Sequence, residues 1–195
     1  ESIIATVQNG ADAVYLGLDG FNARRGATNF SEEEFKKAVR YCHIRGAKVY
    51  VTLNTLVGDR ELSEAAGLAR MASDYGADGI IIQDMGMIRV IREALPDIPL
   101  HASTQMSVHN LAGVQACAEM GLTRAVLARE LTYDQIAYIT KHAPIETEVF
   151  VHGALCFAHS GQCYMSSLIG RRSGNRGACA QPCRMQYSLG GRMDD

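Results

Sequence analysis

The stretch Gly76-Ala-Asp-Gly-Ile-Ile-Ile-Gln-Asp84 contains the unit on which the fold of this chain depends. Its first glycine follows an amphipathic helical pattern, and glycine adopts the left-handed conformation of a helix C-terminus without steric cost. A short β-branched run comes next and ends in two polar residues. Three more glycines end helical patterns in the same way, and they are Gly10, Gly46 and Gly121. The pattern indicates a repeated helix-and-strand unit.

Six strands are predicted from this repeat, and each is apolar over most of its length. They are Ala13–Gly17, Lys48–Asn54, Gly79–Gln83, Leu100–Gln105, Arg124–Arg129 and Thr147–His152. Helices separate them, and two helix starts carry a capping-box pattern, Ser31 with Glu34 and Thr132 with Gln135. Apolar strands that alternate with helices indicate a parallel sheet covered by helices. The fold class is therefore α/β.

Two α/β architectures fit this pattern, a doubly wound open sheet and a TIM-like (β/α) barrel. We favour the barrel because the units are uniform and no glycine-rich phosphate turn follows the first strand. A barrel needs eight strands, so we expect it to be incomplete in this chain, with its first strand before Glu1. We assign residues 1–152 to the barrel core and 153–195 to a Cys/Arg-rich cluster-binding segment of the same domain.

Composition predicts a soluble cytoplasmic protein without a membrane partner. The chain has 195 residues, of which 47% are hydrophobic and 21% charged, enough apolar residues for one sizeable core. Its apolar runs are far shorter than the roughly 20 residues that span a bilayer. The net charge is −2, but residues 149–193 contain five arginines and no acidic residue. The C-terminal part is therefore cationic.

Polar side chains follow the predicted strands where a barrel enzyme has its active site. They are Asn54, Gln83, Asp84, Thr104, Gln105, Arg129, Glu130 and His152. Contact with solvent explains any one of them, but their recurrence after five successive strands favours a site. We predict substrate binding by Asn54, Gln83, Gln105 and Glu130. Glu148, at the predicted start of the sixth strand, is expected at the barrel floor in a structural role.

Six cysteines fall into two groups. Cys42 and Cys117 stand alone within helical stretches and are expected to be buried and structural. The other four are clustered as Cys156-x6-Cys163-x15-Cys179-x3-Cys183. In a reducing cytoplasm such a cluster indicates metal binding or catalysis more often than disulfides. Spacing and ligand chemistry leave an iron–sulfur cluster, zinc and thiol catalysis open.

The run Glu148-Val-Phe150-Val-His-Gly153-Ala154-Leu155-Cys156-x4-Gly161-Gln-Cys163-Tyr-Met165-Ser166 resembles, position for position, the signature of the collagenase-like peptidase family U32. Further similar stretches are Asp12-Ala-Val-Tyr-Leu-Gly17, Phe21-Asn-Ala-Arg24, Val51-Thr-Leu-Asn54 and Gly174-Asn-Arg-Gly177. The resemblance covers nearly the whole chain. The stretch from Ser173 to Arg184 is most similar to the branch that hydroxylates ribosomal RNA.

The resemblance implies a barrel-like catalytic domain with a [4Fe-4S] cluster on Cys156, Cys163, Cys179 and Cys183, the last of which rests mainly on its proximity. Members of the family carry out oxygen-independent hydroxylation of transfer RNA uridine, 23S ribosomal RNA cytidine or ubiquinone precursors. The RNA-acting members draw on prephenate. An RNA substrate and this small anionic co-substrate are thus expected partners.

Cationic and basic residues are assigned to the predicted site because guanidinium binds carboxylates and phosphates in bidentate fashion. Arg129, His152 and His159 are predicted to act in catalysis, His159 as a proton carrier or as support for a cluster ligand. Substrate binding is predicted for Arg24, Arg171, Arg172 and Arg176. Two rival functions remain: a thiol peptidase that uses Cys156 with His152 or His159, and a non-catalytic RNA-binding module.

Overall fold

Helices and strands alternate along the computed structural model, which describes residues 2–23, 29–153, 155–160 and 162–188. The strands are β1 (Ala13–Gly17), β2 (Lys48–Leu53), β3 (Gly79–Ile82), β4 (Leu100–Ala102), β5 (Arg124–Val126) and β6 (Glu146–Glu148). The helices are α1 (Ser2–Gln8), α2 (Glu32–His43), α3 (Leu62–Asp74), α4 (Met85–Ala94), α5 (Leu111–Glu119), α6 (Tyr133–His142) and α7 (Met165–Gly170). Short 3-10 turns lie at Asp59–Glu61, Thr104–Met106, Gly174–Arg176 and Pro182–Arg184.

All six strands are parallel and lie side by side in chain order. In register, Val14 of β1 lies opposite Val49 of β2, and Val51 lies opposite Ile80 of β3. A doubly wound sheet would reverse its strand order part-way, so the observed order decides for the barrel type. The described strands form a curled half-barrel in which β1 and β6 are the two edges.

The two faces of the sheet differ in chemistry. Alternate residues of each strand, such as Val49, Val51 and Leu53 of β2, pack into the hydrophobic core with the helices. Between them, the opposite face of the same strand carries Tyr50 and Thr52. On β4, β5 and β6 this inner face carries His101, Arg124, Glu146 and Glu148, of which the first three lie side by side in register. The fold therefore holds polar groups within a concave surface.

The predicted helix boundaries are confirmed where their local chemistry could be recognised. Ser31 and Glu34 form a reciprocal capping box at the start of α2, and Thr132 and Gln135 form another at α6. The predicted helix-ending glycines all have positive φ, between 76° and 91°. Only glycine adopts this conformation freely. The repeat in the sequence is thus the repeat of the fold.

The last three strands are shorter than predicted. The 3-10 turn at 104–106, capped by Ser103, ends β4 early. β5 ends at Val126, because the Ala128 amide donates to the carbonyl of Val108 and not to β6. The last bond between β5 and β6 runs from the Leu127 amide to Glu148. The prediction that the sixth strand runs to His152 is therefore wrong, since residues 149–152 have no strand partner beside them.

Both isolated cysteines are buried in helices, as predicted. Cys42 of α2 and Cys117 of α5 are 0% and 2% exposed. Burial raises the pKa of each thiol, which keeps it protonated and unreactive. Within the ranges described above, no helix has both the length and the apolar character needed to cross a bilayer.

Candidate functional site

The floor of the half-barrel is a chain of contacts between aromatic and charged side chains. His101 of β4 packs edge-on against Tyr50 at 4.7 Å between ring centroids, and Arg124 lies over the same Tyr50 ring. Arg124 also donates hydrogen bonds to Glu146 and Glu148. Burial, reinforced by the charge of Arg124, lowers the pKa of His101 to about 4. Glu148 thus has a structural partner, although it lies at the end of β6 and not at its start.

Three side-chain amides lie at the carboxyl ends of the strands, as predicted for the barrel mouth. Asn54 accepts a hydrogen bond from the Ala23 amide at 2.9 Å and approaches the Ser103 hydroxyl at 3.4 Å. Gln83 is only 7% exposed. Within the described part of the chain, the Oε1 atoms of Gln83 and Gln105 are buried and have no hydrogen-bond partner. Two acceptor groups are therefore held at the mouth without a protein donor.

Ser160 is the centre of the polar network beside these amides. It is fully buried, and its amide and hydroxyl donate to Glu130 at 2.9 and 3.2 Å. Its hydroxyl also accepts weak bonds from the amide and Nε of Arg129, at 3.4 and 3.5 Å. Its carbonyl accepts from the Ser107 hydroxyl at 2.5 Å. Ser160 therefore ties the segment after β6 to the loops that follow β4 and β5.

Glu130 remains ionised in this setting. Burial opposes its charge, but hydrogen bonds from the backbone and from Ser160, with the charge of Arg129, outweigh that effect and lower the pKa of the carboxyl. His109 lies next to it, with Nε2 3.3 Å from Oε2 of the carboxylate, and the His109 and His159 ring centroids are 5.8 Å apart. Among the described residues, these three form the one group of at least three His, Cys, Asp or Glu ligand atoms within 4.8 Å of one another.

The four clustered cysteines lie on segments that are bonded to each other. Gly174 packs against both Cys163 and Cys179. A Cβ atom at this position would lie 3.6 Å from the Cβ of Cys179 and 3.9 Å from the carbonyl oxygen of Cys163. Asn175 accepts a hydrogen bond from the Cys163 amide at 3.4 Å. Arg184, next to Cys183, donates to the carbonyl of Leu155 at 2.6 Å. These bonds bring all four cysteine-bearing segments together.

The thiols are free and mostly accessible. Cys156, Cys179 and Cys183 are exposed, and Cys163 is half-buried. The Gln181 amide donates to the sulfur of Cys179 at 3.3 Å, a contact that stabilises a negatively charged thiolate. This donor set fits an anionic iron–sulfur cluster, because soft thiolates bind iron and hydrogen bonds to sulfur tune such clusters.

The predicted arginines have different surroundings. Arg171 is exposed at the end of α7 in the left-handed conformation, and Arg172 is exposed while its Nε donates to the carbonyl of Ala178. Arg176 is instead held by Glu61 and by the carbonyl of Leu56. Arg24 lies outside the described residues. Only the first pair therefore presents cationic groups to solvent without a carboxylate partner in the described structure.

Of the predicted catalytic residues, the structure brings Arg129 and His159 to the Ser160 network, while His152 lies in an exposed bend after β6. Two members of the network, His109 and Ser160, were not predicted. His109 is 21 residues from Glu130 in sequence, in a loop with no regular pattern. Its only local signal is the position next to Asn110, which caps α5. Only the fold brings these residues together.

Curated proteins of similar sequence cover nearly the whole chain. A curated relative, the 23S rRNA 5-hydroxycytidine C2501 synthase of Escherichia coli strain K12, is 44% identical over 94% of this chain. The tRNA hydroxylation protein P of the same organism is 37% identical over 95% of it. The chain spans 27% and 42% of the lengths of these two relatives.

A solved structure, that of the U32 peptidase Mk0906, has the same fold. It matches with a TM-score of 0.66 and 20% identity, over 79% of this chain and 66% of the other. The model of "Peptidase family U32" matches residues 1–195. This match covers both the half-barrel and the cysteine-bearing segments after β6. The chain therefore belongs to peptidase family U32.

Proposed function

We propose that this chain is the cluster-bearing part of an enzyme that hydroxylates a base in RNA without molecular oxygen. The observation that carries the proposal is the 44% identity to the 5-hydroxycytidine synthase across nearly the whole chain. A cytidine of 23S ribosomal RNA is the preferred substrate and a transfer RNA uridine the alternative, because the second relative is named for tRNA hydroxylation. Prephenate is proposed as the co-substrate.

Cys156, Cys163, Cys179 and Cys183 would hold a [4Fe-4S] cluster, which supplies redox chemistry or an open iron site when bound. Their segments are hydrogen-bonded together, and a backbone amide already donates to the sulfur of Cys179. The exposed side chains of Arg171, Arg172 and Arg184 would offset part of the negative charge of such a cluster.

Zinc is the alternative metal, because four thiolates also form a tetrahedral zinc site. Iron, sulfide and zinc analysis of the purified protein distinguishes the two metals.

The mouth of the half-barrel would bind the base. Gln83 and Gln105 hold buried Oε1 atoms without a protein donor, and both can accept from the amino or imino N–H groups of a pyrimidine. Asn54 is fixed beside them by Ala23 and Ser103. To read the edge of a base that has left its stack, each amide would turn its buried oxygen toward the mouth.

The cationic residues would position the anions of both substrates. Arg171 and Arg172 are exposed and offer guanidinium groups to RNA phosphates. Arg129 lies next to the Ser160 network and donates weakly to the carbonyl of Ala158 at 3.4 Å, so it can turn to a carboxylate of the co-substrate. His159 is exposed at the same place and could exchange a proton with the reacting groups. His152, further away, remains a predicted catalytic residue.

Peptidase activity is the second candidate, because the family whose model matches the chain is described as a peptidase family. A thiol peptidase needs a histidine within hydrogen-bond reach of its cysteine. In this chain the cysteine would be Cys156 and its base His152 or His159. A non-catalytic RNA-binding module would need the exposed arginines but neither the thiols nor the free amides.

Mass spectrometry of nucleosides from a strain that lacks the gene tests the proposal. We expect one hydroxylated cytidine or uridine to be missing, and to return when the wild-type gene is supplied but not when the Cys156→Ala variant is. An unchanged set of nucleosides, together with lost cleavage of a peptide substrate, would establish the peptidase instead.

A further inference from the structure

We propose that His109, Glu130 and His159 form a binding site for a divalent first-row transition metal ion, separate from the four clustered cysteines. Their ligand atoms lie within 4.8 Å of one another. Two imidazoles and one carboxylate are a common donor set for iron(II), zinc and related ions, and they leave coordination positions open for water or a ligand. The inference does not depend on the proposed hydroxylation.

The tautomer of His109 is the first argument. Its Nδ1 lies 2.6 Å from the carbonyl oxygen of Ser107. A carbonyl can only accept, so Nδ1 carries the proton and donates it. In a neutral imidazole the lone pair is then on Nε2. Histidines that bind metals through one nitrogen regularly donate from the other to a backbone carbonyl in this way.

The environment of Nε2 is the second argument. This atom is buried and has no hydrogen-bond partner among the described residues, yet it lies 3.3 Å from Oε2 of the Glu130 carboxylate. A lone pair on nitrogen and a carboxylate oxygen repel each other at this distance. A cation between them would turn the repulsion into two bonds.

The rigidity of the surroundings is the third argument. Ser160 donates from its amide and its hydroxyl to Glu130 and so fixes the carboxylate. Ser107, in the left-handed conformation with φ of 56°, donates from its own hydroxyl to the carbonyl of Ser160. The three ligands therefore come from separate loops that are already tied to one residue, and second interactions of this kind orient metal ligands.

Titration with Co²⁺ tests the site, because this ion reports its ligands in its absorption. We use the protein purified in the presence of a chelator, with C156S, C163S, C179S and C183S combined to remove the thiols. One equivalent of Co²⁺ should bind and give visible d–d bands without thiolate-to-metal charge transfer. In the protein with intact cysteines, the same d–d bands should appear beside any thiolate bands.

Substitutions then assign the ligands. His109→Ala, Glu130→Gln and His159→Ala should each weaken Co²⁺ binding by roughly 10–100-fold or more. Losses of that size are typical when a group that only supports a metal ligand is removed, and these substitutions remove the ligand itself. His159 is exposed, so its substitution should leave the fold intact. His43→Ala is the matched control, since His43 also lies against a carboxylate, that of Asp78 at 2.8 Å, but without a third ligand. The His43→Ala variant should bind Co²⁺ with the affinity of the parent protein.

Two results would overturn the inference. One is the absence of stoichiometric Co²⁺ binding in the folded protein without the four thiols. The other is binding that survives both Glu130→Gln and His159→Ala. Neither result bears on RNA hydroxylation, which the nucleoside analysis tests separately.

Discussion

Arg176 donates two hydrogen bonds to the carboxylate of Glu61, at 2.8 and 2.5 Å, and a third to the carbonyl of Leu56. The three bonds join the cysteine-bearing segment after α7 to the turn that follows β2. The hydrogen bond to Glu61 raises the pKa of the guanidinium, so the pair stays charged. The contacts that Arg176 makes in the structure tie two segments of the fold together.

The Arg176–Glu61 pair should hold the cysteine segment in place more than it stabilises the half-barrel. Both side chains are about one-third exposed, and such pairs contribute about 0–1 kcal/mol. Arg176→Met is therefore expected to change the Tm only slightly but to speed the loss of iron to a chelator. Absorbance decay under anaerobic chelation measures this. Arg89→Met, which breaks an exposed pair with Glu93, should leave the rate unchanged, and equal rates in both variants would contradict the prediction.

The four clustered cysteines should differ from the two buried ones in what their substitution removes. Cys156→Ser, Cys163→Ser, Cys179→Ser and Cys183→Ser are each expected to reduce bound iron and sulfide after anaerobic purification, because each removes a proposed cluster ligand. Cys42→Ala and Cys117→Ala should keep the full content, since both thiols are buried in helices. Stoichiometric zinc without iron in the wild-type protein would overturn the cluster assignment.

Cys183 gives the sharpest comparison within that series. Its assignment rests mainly on proximity, and the bond from Arg184 to Leu155 is what brings it toward Cys156. If Cys183→Ser alone keeps the iron content of the wild type, the fourth ligand is another group.

Local chemistry explains which parts of the fold could be predicted. β1 was predicted with its observed bounds, and the capping boxes of Ser31 and Thr132 begin helices as expected. These features depend on residues within one turn of each other. The end of β6 could not be predicted from Val149-Phe-Val151, which has strand propensity, because its strand partner ends earlier.

The candidate site was also predictable only in part, because some of its residues meet through contacts between distant parts of the sequence. Strand ends predict that Asn54, Gln83 and Gln105 lie at the mouth, since every parallel strand of a barrel ends there. His109 and Ser160 join Glu130 through loops without periodicity, where the left-handed Ser107 redirects the chain. No pattern in the sequence indicates that approach.

The buried histidine of the floor should make stability depend on pH. Burial lowers the pKa of His101 from 6.5 to about 4, and the nearby charges of Arg124 and Lys48 act in the same direction, against Glu146. Between these two pH values the unfolded chain binds a proton that the native state does not. The free energy of unfolding should therefore fall with falling pH across this window, by up to about 1.4 kcal/mol per pH unit.

Urea denaturation at pH 7, 6 and 5 measures this dependence. His101→Gln cannot take up the proton, so its free energy of unfolding should vary less with pH than that of the wild type, whatever its absolute stability. The comparison uses slopes because the substitution also changes the contact with Tyr50. Identical slopes in the two proteins would show that His101 is protonated equally in both states.

Gln83 should be more important for activity than for stability. Its Oε1 is buried and has no partner in the described structure, which costs about 1–3 kcal/mol for an unsatisfied acceptor. Gln83→Met keeps the shape and removes the acceptor, so the free energy of unfolding should stay equal or rise. If the amide binds the base, kcat/KM for hydroxylation should fall by roughly 10–100-fold, the equivalent of about 1.4–2.8 kcal/mol. Gln115→Met, at an exposed position of α5, is the control and should change neither the free energy of unfolding nor kcat/KM. A Gln83→Met variant that is less stable but fully active would show that this amide serves the fold alone.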